Sequence, residues 1–198
     1  MGLELDYIFG QTPLDDDEKE GLKIPTITTR KELDEFEQLN IEKAVEWSLT
    51  RKINLESILT EKFVKDLHIR MFADVWMWAG EFRKSNKNIG VDKFQISIEL
   101  RNLFDNCKYW IKKKTFTEDE IAVRFSHRMV SIHPFPNGNG RHSRLIADIL
   151  ISRGFGKDVF SWGRANLTTK SETRIKYLSS LRAADQGNYQ SLIKFARE

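Results

Sequence analysis

Residues 117–154 read TEDEIAVRFSHRMVSIHPFPNGNGRHSRLIADILISRG, and the class of fold is legible in this run. Thr117 and Glu120 have the spacing of a capping box, and Ala122, Phe125, Met129 and Ile132 then recur at helical intervals up to His133. Pro134, Pro136 and the Asn-Gly-Asn-Gly string break that period with turn formers. Leu145, Ile146, Ile149 and Leu150 restore it in a helix that begins around Asn139 to Arg141 and stops at Gly154. The pattern predicts two buried helices joined by a bent junction. Such a joint is rigid enough to hold reacting groups in fixed geometry.

The same periodicity extends outward. Thr29 and Glu32 repeat the capping-box spacing, and Leu33, Phe36, Asn40, Ala44 and Trp47 predict a helix over 30–48. Thr60 caps another, with Phe63, Leu67, Met71 and Val75 repeating every four residues. Leu100, Leu103, Phe104, Cys107 and Trp110 mark a helix from Ser97 to Trp110, and two more are expected near 170–184 and 188–197. The one β signal is Ser85-Asn86-Lys87-Asn88-Ile89-Gly90-Val91, which predicts a small hairpin. Pro13, Pro25 and the acidic run Asp15, Asp16, Asp17, Glu18 show no period. The expected organisation is therefore a surface arm over 1–28 and a single all-α domain over 29–198.

Composition narrows the class of function. A chain of 198 residues with 40% hydrophobic content, five Trp and thirteen Phe can bury a substantial core. No apolar run reaches membrane-spanning length, and MGLELDYIFG lacks the basic-then-apolar order of a secretory signal. A single cysteine, Cys107, forms no internal disulfide and suits a cytoplasmic setting; on its helix it falls in the apolar stripe. The net charge of +3 is a mixed surface, so no nucleic-acid partner is implied, and the Lys108, Lys112, Lys113, Lys114 cluster reads as a solvated helix end. His127, His133 and His142 lack the spacing of a zinc site.

The junction combines a lone imidazole, glycines and paired arginines. Gly138 and Gly140 flank Asn139, so successive backbone N–H groups can converge on an anion at a helix start. Arg141 and Arg144 lie three apart, on one helix face, and each guanidinium can fork onto phosphate oxygens. His133 can take a proton from a hydroxyl near pH 7. Each residue also has a plainer reading: a histidine packed at a helix end, a simple turn, and surface arginines beside Asp148.

The stretch His133–Arg144, HPFPNGNGRHSR, resembles the signature of the Fic family, His-Pro-Phe-x-(Asp/Glu)-Gly-Asn-Gly-Arg-x-x-Arg, and its variant HPFPNGNGRH is most similar to the branch called mobile mystery protein B. Leu67-His68 and Trp78-Ala79-Gly80-Glu81-Phe82-Arg83 extend the resemblance over roughly residues 30–155. It implies a helical fold with a hairpin flap and transfer of AMP from ATP to a Tyr, Ser or Thr hydroxyl of a target protein, with Mg²⁺ or Mn²⁺ and toxin-like action on a housekeeping protein. It assigns the base to His133, the α-phosphate cradle to Gly138, Asn139 (backbone and amide) and Gly140, the leaving pyrophosphate to Arg141 and the γ-phosphate to Arg144. Phe135 anchors the loop in the core, and Lys87, Asn88, Ile89, Gly90 and Val91 form the flap.

One position departs from the family pattern. Asn137 stands where a metal-binding carboxylate is usual, so it is a weak Mg²⁺ candidate, with slower catalysis, another phosphate-containing donor, or binding without turnover as the outcomes. The family's inhibitory motif has no perfect copy. Glu37 is the nearest match, expected to reach Arg144 and turn it aside, with a solvated glutamate beside Asp34 and Glu35 as the alternative. Gly140 and Arg144 favour nucleotidyl over phosphoryl transfer and do not distinguish phosphocholine transfer. A nucleotide-binding or partner-binding module without catalysis is the competing class.

Overall fold

The protein is described by a computed structural model covering residues 12–164 and 171–198. The described helices are α1 (Asp16–Lys19), α2 (Arg30–Thr50), α3 (Leu55–Ile58), α4 (Glu61–Phe72), α5 (Ile96–Lys113), α6 (Glu118–Ile132), α7 (Asn139–Ile149), α8 (Glu172–Asp185) and α9 (Gln190–Arg197). The all-α class read from periodicity is what is observed.

Short polar side chains set the helix starts. Thr29, Thr60, Thr117 and Ser171 each accept a hydrogen bond from the backbone N–H three residues on, which satisfies a donor the helix leaves open. At α2 the Glu32 carboxylate closes the box by accepting the Thr29 N–H at 3.0 Å. α5 ends on Lys114 in the left-handed region, and α7 passes through a widened π turn at Leu150–Gly154.

α6 and α7 pack against each other, α2 and α5 lie beyond α4 and α6 respectively, and α8 pairs with α9. The core runs through Val64, Leu67, Met71, Ile121, Phe125, Ile146 and Ile149, all buried. Cys107 is fully buried on α5, and loss of hydration pushes its thiol pKa up to about 12, so it packs as an apolar group.

The hairpin expected over 85–91 does not form a strand pair. Among the described residues the only β-bridge joins Leu22 to Trp76. The segment is instead a turn gathered around buried Arg83, whose guanidinium donates to the carbonyls of Ser85 (2.8 Å) and Val91. A central cation satisfies carbonyls that a hairpin would have paired across its own ladder. Part of the N-terminal arm, residues 1–11, lies outside the described residues. From Thr12 onward it lies against the helical body, with Leu14 and Ile27 buried.

Candidate active site

His133 occupies the C-cap of α6 with left-handed dihedrals (φ 55°, ψ 59°) and donates its N–H to the Met129 carbonyl at 3.3 Å. That region is rare for a residue with a Cβ, and the neighbours hold it there. Arg83 Nε donates to the His133 carbonyl at 2.7 Å, and the Arg83 N–H donates to the Pro134 carbonyl at 2.9 Å. Val91 N–H reaches the Ile132 carbonyl at 3.3 Å. At Gly90, with φ 102°, an added Cβ would lie 2.8 Å from the His133 Cβ, so a glycine is required where the turn crosses the histidine.

The inward face of the junction is packed and neutral. Phe135 is fully buried and stacks on His68 at 3.7 Å between centroids, as expected for an anchor. His68 Nδ1 accepts the Gly80 N–H at 2.9 Å, which leaves Nε2–H to donate to the Asn137 carbonyl at 3.1 Å. His142 Nε2 bonds the Val64 carbonyl at 3.0 Å and ties α7 to α4. Gly138 has φ 77°, and a Cβ there would lie 2.4 Å from the Phe72 ring. Burial holds the His68 ring well below its ordinary pKa and pushes His142 down to about 4.

The Asn139 side chain belongs to this inward face. Its Oδ1 accepts the Phe135 N–H at 3.0 Å and its Nδ2 donates to the Phe135 carbonyl at 2.7 Å. The expected contact between this amide and a phosphate is therefore corrected: both amide groups are spent bracing the loop. The backbone N–H groups at the start of α7 are left as the candidate anion-binding element.

The outward face is cationic. A pocket with about 870 Å³ of space, its solvent-facing mouth included, is lined by Thr12, Arg30, Ile89, Val130, His133, residues 137–141, Arg144, Arg174, Tyr177, Leu178 and Leu181. His133, Gly138, Asn139, Gly140, Arg141 and Arg144 thus meet at one cavity, as the spacing implied. Of the flap residues Lys87–Val91, Ile89 reaches it. Arg144 lies over the Tyr177 ring at 5.3 Å and Arg141 over Phe72 at 5.1 Å. Burial, with the positive neighbours Arg144 and Arg30, draws the Arg174 pKa below its usual value.

Glu37 departs from both readings of the sequence. It is completely buried and meets Arg141, Oε2 to Nη1 at 2.7 Å, instead of Arg144; Trp76 Nε1 donates to Oε1 at 2.6 Å. α2 carries Glu37 beneath the start of α7, so the first arginine intercepts it.

His133 is buried, and loss of hydration brings its pKa down to about 4, with the charges of Arg83 and Lys87 acting the same way and the Val130 carbonyl partly opposing them. The ring is neutral at pH 7. Its Nδ1 has no hydrogen-bond partner of ordinary geometry, and Nε2 lies 3.2 Å from the Thr12 hydroxyl. With the proton on Nδ1, Nε2 accepts from that hydroxyl.

The residues do not fit a protein-held metal. The Asn137 amide oxygen is uncharged and turned back onto the Gly138 N–H at 2.6 Å. No carboxylate lines the pocket, and no group of three or more His, Cys, Asp or Glu side chains able to hold a metal occurs among the described residues.

Residues 58–151 match the model of the Fic/DOC family. The chain carries a Fic/DOC domain. It is 26% identical over 170 residues to "Protein adenylyltransferase Fic" of Aedes aegypti, covering 83% of this chain and 32% of that protein. It is 27% identical over 157 residues to the protein of the same name in Drosophila melanogaster, covering 77% of this chain and 30% of that one. The chain thus spans about a third of the length of these curated relatives. Among solved structures, Fic-1 (residues 134–508) of C. elegans superposes with a TM-score of 0.66 at 21% identity, over 90% of this chain and 51% of that one. BepC of Bartonella tribocorum, with bound AMPPNP, gives 0.64 at 19% identity, over 92% and 97%. The helical fold of this chain is common to both solved structures.

Arg30, Arg174, Tyr177, Arg83 and Thr12 were not singled out as site residues from the sequence. The Trp78–Arg83 segment was the one signal that could have found Arg83. The others come from distant elements, and nothing in their local spacing separates them from surface residues.

Proposed function

We propose that this Fic/DOC domain is a protein adenylyltransferase that moves AMP from ATP to a Ser, Thr or Tyr hydroxyl of a target protein, in the cytoplasm. The observation that carries this reading is the shared pocket: a neutral His133 faces the N-terminus of α7 and a wall of arginines. The names of the relatives support the same chemistry.

The backbone N–H groups of Asn139 and Gly140 and the positive end of α7 bind the α-phosphate, while the Gly138 N–H stays on the Asn137 amide oxygen and its left-handed backbone shapes the cradle. Arg141 and Arg144 neutralise the pyrophosphate portion, helped by Arg30 and Arg174 along the same wall. The target hydroxyl attacks the α-phosphorus, its proton passes to His133 Nε2, and the bond to the bridging oxygen breaks to release pyrophosphate. Polyphosphate beside His133 favours the protonated ring, so its pKa rises toward neutrality when nucleotide binds. Tyr177, Leu178 and Leu181 offer an apolar wall for the base. The turn at Lys87–Val91 presents the target segment beside His133. Any Mg²⁺ or Mn²⁺ arrives on the nucleotide.

The test compares α-labelled with γ-labelled ATP, supplied with Mg²⁺ or Mn²⁺ and cell extract, for wild type and His133→Ala. Label on protein from the α position alone, lost in the variant, is the expected result. Nucleotide binding without transfer would instead establish a binding module, the reading that the neutral Asn137 favours. Protein label from the γ position would establish phosphoryl transfer.

A further inference from the structure

The hydroxyl nearest the candidate base belongs to this chain. Thr12 Oγ1 lies 3.2 Å from His133 Nε2 and lines the same pocket as Gly138, Arg141 and Arg144. The following residues are anchored by a buried ionic contact. Lys87, whose side chain is only 3% exposed, meets Asp15 at 2.7 Å and Glu18 at 2.6 Å. Ser85 Oγ donates to Asp15 at 2.5 Å, and Trp78 Nε1 donates to the Glu18 carbonyl at 2.9 Å. Leu14, between Thr12 and Asp15 in sequence, is buried. Burying a lysine is costly unless its partners are held in place, so the segment after Thr12 is fixed rather than draped.

We propose that Thr12 is an internal acceptor, adenylylated by its own active site. The inference rests on the adenylyltransferase reading above and adds its first substrate hydroxyl. Thr12 Oγ attacks the α-phosphorus of bound ATP; the new O–P bond replaces the bond to the bridging oxygen, pyrophosphate leaves, and the hydroxyl proton moves to His133 Nε2. The product carries AMP in phosphodiester linkage to Thr12. No oxidant or further reactant is needed. Holding the hydroxyl at the base makes the step unimolecular, with the advantage that pre-oriented groups have over free ones. The Lys87 contacts in the turn supply the orientation, which gives this turn a role for the chain's own arm as well as for an external target.

The test incubates the full chain with α-labelled ATP and Mg²⁺ or Mn²⁺, with and without cell extract, and maps the product by peptide mass spectrometry. The expected product is one AMP per chain, on Thr12. It is absent in His133→Ala, lost in Thr12→Ala, retained in Thr12→Ser, and formed at a fractional rate that does not change when the protein is diluted. His133-dependent labelling of extract proteins with Thr12 unmodified would overturn the inference and leave the transferase reading standing. Self-label that survives in Thr12→Ala would do the same. A rate that falls with dilution would overturn the internal route. If no protein takes up AMP in a His133-dependent manner, the transferase reading and this inference fall together.

Discussion

The junction and the residues packed on it have two faces built on opposite principles. Inward, His68, His142, Phe135 and Asn139 are buried and uncharged, and backbone groups satisfy most of their polar atoms. Outward, Arg30, Arg141, Arg144 and Arg174 crowd one pocket. The inward face fixes where the loop is, because a buried neutral hydrogen bond is exact in geometry and costly to break. The outward face stays ionised, because guanidinium is charged at any relevant pH; Glu37 and Asp34 each pair with one of these arginines, and a polyphosphate can bridge several of them at once. Shape and affinity are thus separated across one turn of chain.

Acid should break the set of buried rings first, His68 and His142 on the inward face and His133 at the pocket, and this is the largest effect expected. His133 and His142 have folded pKa values of about 4 and His68 is well below its ordinary 6.5, so the unfolded chain binds about three more protons there as pH falls from 6.5 toward 4. Asp148 opposes them: burial raises its carboxyl to about 7, so the folded state holds one extra proton in the same window. Three less one leaves about two, and because the unfolded state binds the surplus, stability falls with pH by roughly 2–3 kcal/mol per unit at its steepest. Denaturant titrations from pH 7 to 4.5 measure the slope. A flat profile would show that these rings are not held neutral.

Glu37 joins the two faces, and its loss ranks next. Glu37→Ala leaves Arg141 without its buried counter-ion and should cost about 3–5 kcal/mol, a fall in Tm on the order of 10 °C by calorimetry. AMP transfer should fall as well, because Arg141 loses its support. A rise in transfer with Tm preserved would instead make Glu37 an inhibitory residue.

Arg144→Ala isolates the outward face. It should lower labelling by about 10²-fold in a single-turnover assay while Tm shifts little, since the residue lines the pocket and packs on Tyr177. Equal loss of stability and activity would mean that the two faces are not separable. The smallest effect is expected at Gly140→Ala. A Cβ there finds its nearest neighbour, Arg144 Nη1, at 3.7 Å, so stability should change by less than about 1 kcal/mol, whereas Gly138→Ala meets Phe72 and should not be tolerated.

Much of the fold was legible because helical periodicity and capping are local. The capping box at Thr29 and Glu32 placed the start of α2, and the apolar interval from Ala122 to Ile132 led to His133 at the end of α6. The turn at 85–91 was misread as a hairpin, because Asn and Gly specify reversal of the chain and cannot show that Arg83 will take its carbonyls. The partner of Glu37 was misjudged because Arg141 and Arg144 share one helix face, and which of them meets a carboxylate on α2 is set by how the helices pack.

By itself the sequence determined the helices, the bent junction, the neutral base candidate and the two arginines, since each depends on spacings of a few residues. Only the tertiary structure decided which face of the junction each side chain serves. It brought Arg30 and Arg174 to the pocket, set Glu37 under Arg141, and laid Thr12 against His133, 121 positions away. Pairings of that kind arise from how whole helices and a docked arm pack, and no local propensity encodes them.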